Sequence, residues 1–307
     1  MIIAVDMGKD STKATMRDSN GNIQKLIFKT KSQVCSGEGL FNSKTYVLEH
    51  KGIRHLIGED AFYSSYDTTK ATMQHKLAMY LAISNLIGDR FAEVKIITGC
   101  PLSVFFNVEK REEYKQFLME EKLINIKVNN ENRRFNIVDI LVLPESLGYV
   151  FNDIKKNENQ IFGVIDIGGL NTNASLIKNL KIINSSAFTI NEGGSILQGK
   201  VKRELNNVFS SNYQDYQIDY VIKDRSNKEI NNIVDNVLSS HIDVIINEAK
   251  KYNWDVKNLK ICFTGGGSIM LESQIHTKLP NASISDNAIF DNANGFLRIG
   301  EILNAKK

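Results

Sequence analysis

The 307-residue chain is 42% hydrophobic and 24% charged with a net charge of +3, the composition of a soluble globular protein with length for two ordinary domains. The near-balance of charge gives no electrostatic case for direct DNA binding, and no apolar run approaches the roughly 18–20 residues of a membrane span. The opening MIIAVDMGKD sets an acid and a lysine where a signal peptide needs its apolar core, so a cytoplasmic location without membrane partners is expected. The scattered Cys35, Cys100 and Cys262 read as buried reduced thiols rather than a disulfide framework or a CxxC metal site, and the histidines lack zinc-type spacing.

In chain order, apolar or alternating runs at 2–6, 11–17 and 22–28, broken by GKD and by the Asn-Gly turn of SNGN, predict a three-stranded meander. Residues 45–57 predict a hairpin turning at Lys51-Gly52, and 69–87 a helix on the spacing of Leu77, Leu81, Ile83 and Leu86. EVKIITGCP reads as a strand, VEKREEYKQFLMEEK as a charged amphipathic helix, and RRFNIVDILVLP as a strand stopped by Pro144, with a helix just after it. The second half repeats the plan: three apolar runs in 161–188, a helix opening at EGGSILQGK, a long helix over 228–251, and LKICFTGGGSIML as strand, triple-glycine turn and helix start. AIFDNANGFLRIGEIL closes the chain as a helix, while the polar 206–227 stretch is compatible with a loop, short helices or a surface insertion.

Two phrases carry the chemistry: IAVDMGKDSTKATM at 3–16 and GVIDIGGLNTNASLI at 163–177. In each, an apolar strand ends in a lone aspartate, and a glycine turn leads to small polar residues. A glycine turn between strands lets backbone N–H groups converge into an anion-binding nest. Ser11, Thr12, Asn171 and Thr172 add neutral donors, and Lys13 adds a compact positive charge suited to phosphate. Bare carboxylates repel phosphate, so Asp6 and Asp166 imply a hard divalent cation, a hydrated Mg²⁺ held against a polyphosphate. The plainer alternative, that each Asp-x-Gly is only a tight turn, loses weight because the phrase recurs at equivalent places in two meanders. Walker A is excluded, since it needs glycine where Ile3 stands and Ser/Thr where Asp10 stands. TGGGSIML lacks the third glycine of a dinucleotide fingerprint and is read as a flat backbone surface for a purine base and ribose.

VDMGKDSTK resembles the first phosphate loop of the actin, Hsp70 and sugar-kinase superfamily, LPESLGYV its first interdomain connection, IDIGGLNTN its second phosphate loop, FTGGGSIML its adenosine motif and NANGFLRIG its second connection. The five occur in the family's order along nearly the whole chain. LPES and GGSILQGK further resemble the bacterial actin-like proteins of the ParM type. The resemblance implies an α/β, actin-like fold: two duplicated RNase H-like domains with a nucleotide cleft between them, domain I at 1–157 joined by the C-terminal helix 289–307, domain II at 158–288. It implies Asp6 and Asp166 holding Mg²⁺ through water, and phosphate contacts from Gly8, Ser11, Lys13, Gly168, Gly169 and Thr172. Glu145 would orient or activate the attacking water; otherwise it is an acid favoured by a helix N-terminus. Glu192 and Gly193 would lie near the ribose, and Gly265, Gly266, Gly267 and Ile269 would flank the base. Lys9, Asp10 and Asn173 depart from the family's pattern. The implied activity is hydrolysis of ATP or GTP coupled to self-polymerisation, with filaments captured by an adaptor protein bound to plasmid centromere DNA. A small-molecule kinase of the same fold and a cell-shape or division scaffold are the alternatives.

Overall fold

Ile2–Met7 (β1), Ser11–Arg17 (β2) and Ile23–Lys29 (β3) form the expected antiparallel meander. The computed structural model describes residues 1–37, 39–65, 67 and 69–305. These fall into two compact units, Met1–Asp153 joined by the segment from Phe290 onward, and Ile154–Ile289.

The first unit continues with β4 (Ser32–Val34), β5 (Thr45–His50), β6 (Ile53–Gly58), α1 (Met73–Ile87), β7 (Ala92–Cys100), α2 (Leu102–Phe105), α3 (Val108–Met119), β8 (Leu123–Val128), β9 (Glu131–Pro144) and α4 (Leu147–Asn152). Among the described residues its sheet runs β3-β2-β1-β7-β9-β8-β5-β6-β4. Alternation along β1 divides its side chains between two cores. Ile3, Val5 and Met7 pack with Leu77 and Leu81 of α1, while Ala4 joins Ile97, Phe296 and Leu297 on the other face.

The second unit holds α5 (Ile154–Asn157), β10 (Ile161–Ile167), β11 (Thr172–Lys178), β12 (Lys181–Ile182), β13 (Phe188–Ile190), α6 (Gly194–Phe209), α7 (Asp215–Lys223), α8 (Lys228–Lys251), β14 (Ile261–Thr264), α9 (Gly266–Met270), α10 (Glu272–Lys278) and β15 (Ser283–Ile284). Its sheet runs β12-β11-β10-β14-β15, with β13 added on β11. Ile165, Ile167 and Phe263 pack against Leu197 and Val201 of α6 and Leu238 and Ile242 of α8. In both units the first strand pairs antiparallel with the second and parallel with a later one, β1 with β7 and β10 with β14.

The last helix, α11 (Asp291–Ala305), returns to the first unit; residues 306 and 307 of the expected helix lie outside the described residues. It crosses α4 where both carry glycine. A Cβ on Gly295 would lie 1.9 Å from the Gly148 carbonyl oxygen, and one on Gly148 would lie 2.3 Å from the Asn292 Cα. The two connection phrases, far apart in sequence, are thus packed on each other backbone to backbone.

Two elements differ from expectation. The helix predicted from 69 starts at Met73, because Lys70 has a left-handed backbone (φ 62°) and Thr72 caps the helix by accepting from the His75 N–H. A hairpin of β8 and β9, turning at Asn129 and Asn130 with φ 50° and 66°, lies between the charged helix and the Pro144 strand and was not expected. Of the readings left open for 206–227, short helices hold: the stretch contains the end of α6 and all of α7. Cys100 and Cys262 are buried as expected, whereas Cys35 is only partly so.

Candidate functional site

Asp6 and Asp166 hold equivalent places in their units. Across β1–β2, Asp6 pairs with Lys13 and Met7 with Thr12; across β10–β11, Asp166 pairs with Asn173 and Ile167 with Thr172. Directly opposed residues share a face of the sheet, so each aspartate stands with its polar partner on one face. Both aspartates are nearly buried.

That register corrects two expected donors. Thr12 and Thr172 are fully buried on the opposite face. The Thr12 hydroxyl lies 2.9 Å from that of Thr30, and the Thr172 hydroxyl donates to the Glu192 carbonyl. Both hydroxyls tie a loop to its neighbour rather than facing the aspartates.

In the first loop the Lys13 ammonium donates to the Ser11 carbonyl at 3.1 Å. Gly8 is required by close approach, since a Cβ there would lie 2.4 Å from the Ser11 carbonyl oxygen. Asp10 would repel a phosphate, but the structure neutralises it. Lys29 donates to both carboxylate oxygens at 2.9 Å, and the Ser11 hydroxyl donates at 2.6 Å. Burial pushes the Asp10 carboxyl up, but Lys29, Ser11 and Lys13 hold it below the ordinary carboxylate range.

In the second loop the Gly168 N–H donates to the Asn171 carbonyl at 2.9 Å, while the Gly168 and Gly169 carbonyls accept from Gly194 and Ser195 at the start of α6, both at 2.8 Å. Gly193 lies so close that a Cβ would be 2.4 Å from the Gly169 carbonyl oxygen. Asn173 is buried and accepts from the Thr189 hydroxyl at 2.8 Å. The Glu192 carboxylate faces α6 and α8, 2.5 Å from the Lys200 ammonium and 3.0 Å from His241 Nδ1. It sits beside a cleft of about 390 Å³ lined by Lys200, Arg203, Ser240 and His241. Burial pushes His241 down to about 4, against the pull of Glu192.

The three glycines of the adenosine phrase separate. Gly265 has φ 82°, and a Cβ there would lie 2.4 Å from Asp166 Oδ1, so the turn backbone closes directly on the aspartate. A Cβ on Gly267 would lie 2.3 Å from the Ile167 side chain. Gly266 faces open space, with nothing within 4 Å of where a Cβ would stand, and Ile269 is exposed. Gly266 and Ile269 therefore present a surface that a flat ring can cover; Gly265 and Gly267 are there for the fold.

Glu145 follows Pro144 at the end of β9, its N–H donating to the Cys100 carbonyl at 3.0 Å. It precedes the Ser146 cap of the short α4. Its carboxylate pairs with the buried ammonium of Lys70, which also lies 4.0 Å from Asp6 Oδ1. Sequence reading missed Lys70, which sits in a polar stretch with no motif and meets its partner 75 positions away. Burial lowers the Lys70 pKa, but Glu145 and Asp6 together hold it above the ordinary lysine value. Lys9 is buried in the same neighbourhood. Burial and Lys70 lower its pKa against the pull of Glu145 and Asp67.

The first unit thus brings Asp6, Lys9, Lys70 and Glu145 together beside the Gly8 loop, and the second brings Asp166 together with the Gly168 loop and Gly265. Among the described residues no three His, Cys, Asp or Glu side chains cluster as a metal cage. One carboxylate per loop fits a hydrated Mg²⁺ that keeps its waters and takes phosphate oxygens as further ligands. No helix among them is long and apolar enough to cross a membrane.

Residues 4–148 match the family described as "Actin like proteins N terminal domain". The archaeal actin homolog Ta0583 superposes with a TM-score of 0.82 at 17% identity, covering 98% of this chain and 99% of that one. A 15-stranded ParM filament from Clostridium botulinum gives 0.80 at 18% identity, covering 98% and 99%, and the Alp12 filament structure 0.71 at 25% identity, covering 99% and 98%. A curated protein named for ankyrin repeats, L774 of Acanthamoeba polyphaga mimivirus, is 25% identical over 232 residues. The chain spans about a third of that relative's length, 35%, and its two mixed sheets are unlike stacked ankyrin helix pairs.

Proposed function

We propose that this chain, whose residues 4–148 match an actin-like N-terminal domain and whose whole length has an actin-like fold, binds a Mg²⁺-nucleotide, ATP or GTP, hydrolyses it and polymerises in the loaded state. The observation that carries this reading is the repeated register: Asp6 opposite Lys13 and Asp166 opposite Asn173, each beside a glycine loop. Gly8 and Gly168 close the turns, their N–H groups donating to the Asp6 and Asn171 carbonyls, while Lys13, Ser11, Gly169 and Asn171 meet phosphate oxygens and Gly266 and Ile269 lie against the base. Asp6 and Asp166 would hold a hydrated Mg²⁺ through water, and the cation would supply neutralisation of the phosphate charge. Glu145 orients the attacking water and accepts its proton.

The nucleotide assignment is supported by the Ta0583 structure solved in complex with ADP, which superposes at a TM-score of 0.77. Self-assembly is supported by the Alp12 and ParM filaments of the same fold. By the same likeness the filament segregates plasmid DNA in the cytoplasm, reaching it through an adaptor bound to centromere DNA. Right-angle light scattering after addition of Mg²⁺-ATP, Mg²⁺-GTP or Mg²⁺-ADP tests the proposal. A rise with a triphosphate that decays as phosphate is released is expected. Hydrolysis with no rise, made faster by a sugar or acetate, would assign the chain to small-molecule kinases instead.

A further inference from the structure

Lys70 is 2% exposed, yet it is a lysine in a polar stretch with a left-handed backbone. Lysine is almost never fully buried without a partner, and a positive φ is uncommon for any residue with a Cβ. The surrounding chain fixes both features. The Ser65 N–H donates to Gln74 Oε1 at 2.8 Å, and Gln74 Nε2 donates to the Thr30 carbonyl at 2.7 Å. The Thr69 N–H donates to Asp67 Oδ1 at 2.6 Å, and Thr72 caps α1. A pinned backbone thus delivers one ammonium between two carboxylates, on Glu145 Oε1 and 4.0 Å from Asp6 Oδ1.

We propose that Lys70 is a built-in counter-cation of the first half of the nucleotide site and the positioning residue for Glu145. The inference rests on the nucleotide-binding reading above. A structural ion pair needs one acid. Lys70 serves two, and they are the ones assigned to the cation and to the attacking water. Without the ammonium, Asp6 and Glu145 would face each other in a medium of low dielectric, where like charges repel strongly. Lys70 holds both carboxylates in place before any nucleotide arrives, supplying positive charge that a divalent cation would otherwise have to supply. A site arranged in advance loses less on reaching the reactive geometry.

The test compares the parent, Lys70→Met and the double variant Lys70→Met/Glu145→Gln by thermal melting in EDTA and in Mg²⁺, without nucleotide. In EDTA, Lys70→Met is expected to melt several degrees below the parent, because it strands buried carboxylates. Mg²⁺ alone should recover part of that loss in Lys70→Met and leave the parent and the double variant unmoved. An equal response of all three to Mg²⁺, or none in Lys70→Met, would overturn the assignment. Should Lys70→Met fail to fold, the double variant decides: it should fold and melt near the parent, and its failure to fold would also overturn the assignment. The second readout is nucleotide affinity against single-turnover phosphate release. Lys70→Met should bind ADP within about threefold of the parent but release phosphate on the order of 10²-fold more slowly, the scale for a misplaced reacting group. A parent that binds no nucleotide would defeat the functional reading itself. A parent that binds and hydrolyses while Lys70→Met equals it in both would defeat only the role of Lys70.

Discussion

Lys13 on β2 stands directly opposite Asp6 on β1, so an ammonium and a carboxylate share one face beside the first glycine loop. The same register position in the second unit holds Asn173 opposite Asp166. The duplication is therefore the same in backbone pairing and unequal in charge: one half sets an ammonium beside its loop, the other a neutral amide whose oxygen accepts from Thr189.

Lys13→Met should accordingly weaken triphosphate binding more than Asn173→Ala does. A hydrogen bond to a charged group is worth roughly 1.5–3 kcal/mol, which is about a tenfold to hundredfold loss of affinity. Asn173→Ala should lower the melting temperature and leave affinity nearly unchanged. Titration calorimetry of both variants checks this, and equal losses of affinity would contradict the inequality.

Glu145→Gln should slow phosphate release by roughly 10²–10⁴-fold, the range for removal of a general base, with nucleotide bound normally and filaments lasting longer. Glutamine keeps an oxygen that accepts from Lys70. Glu145→Ala is the poorer experiment, because it removes the nearer partner of the buried Lys70 ammonium and leaves only Asp6, 4.0 Å away, so lost stability would confuse the readout. Phosphate release and pelleting measured together on Glu145→Gln decide the matter; release at the parent rate would remove Glu145 from the chemistry.

The triple glycine makes a graded prediction. Gly266→Val should abolish nucleotide binding in a protein that melts like the parent, since open space surrounds the position. Gly267→Val drives a side chain into Ile167, an overpacking worth roughly 1–3 kcal/mol, and should lower the melting temperature. A Gly266→Val protein that binds ATP as the parent does would take the base away from this surface.

Two histidines set an acid limb. Burial, with Lys70 and Lys9 nearby, pushes His75 down to about 3, and burial pushes His241 down to about 4, both from 6.5. Each is neutral when folded and gains a proton more readily when unfolded. The unfolded state therefore binds more protons in this range, and stability falls as pH drops from about 6.5 towards 4, by up to roughly 1.4 kcal/mol per pH unit per group. Below 4 the lowered Asp10 carboxyl adds to the loss. Melting temperatures between pH 7 and 4 should fall, and His241→Gln should flatten the slope. An unchanged slope in that variant would show that the group is not held neutral.

Much of this was legible because the signals are local. Strand alternation, the Asn-Gly and Lys51-Gly52 turns and the repeated Asp-x-Gly phrase each lie within a few residues, and the meanders and the 45–58 hairpin formed where they pointed. The β8–β9 hairpin carried a signal too. LINIKV alternates exposed and buried positions before an Asn-Asn turn, but it adjoins a charged helix whose pattern obscured its start. The faces of Thr12 and Thr172 could not be read from residue type, because both hydroxyls suit a phosphate; only the pairing with Met7 and Ile167 turns them inward. Nor could the separate duties of the three glycines be told from a run of identical letters. Lys70 had no local signature at all, since its meaning lies in a carboxylate just past the end of β9, 75 positions away.

The account stands most directly on equilibrium binding of ATP in Mg²⁺ and in EDTA by the parent, Asp6→Ala and Asp166→Ala. Removing either carboxylate should weaken the hold on a hydrated cation. Micromolar-class binding in Mg²⁺ that weakens in EDTA, and that weakens in both variants even with Mg²⁺ present, is the predicted result. Affinity unchanged in both variants, or equal with and without Mg²⁺, would contradict the assignment of Asp6 and Asp166 to the cation.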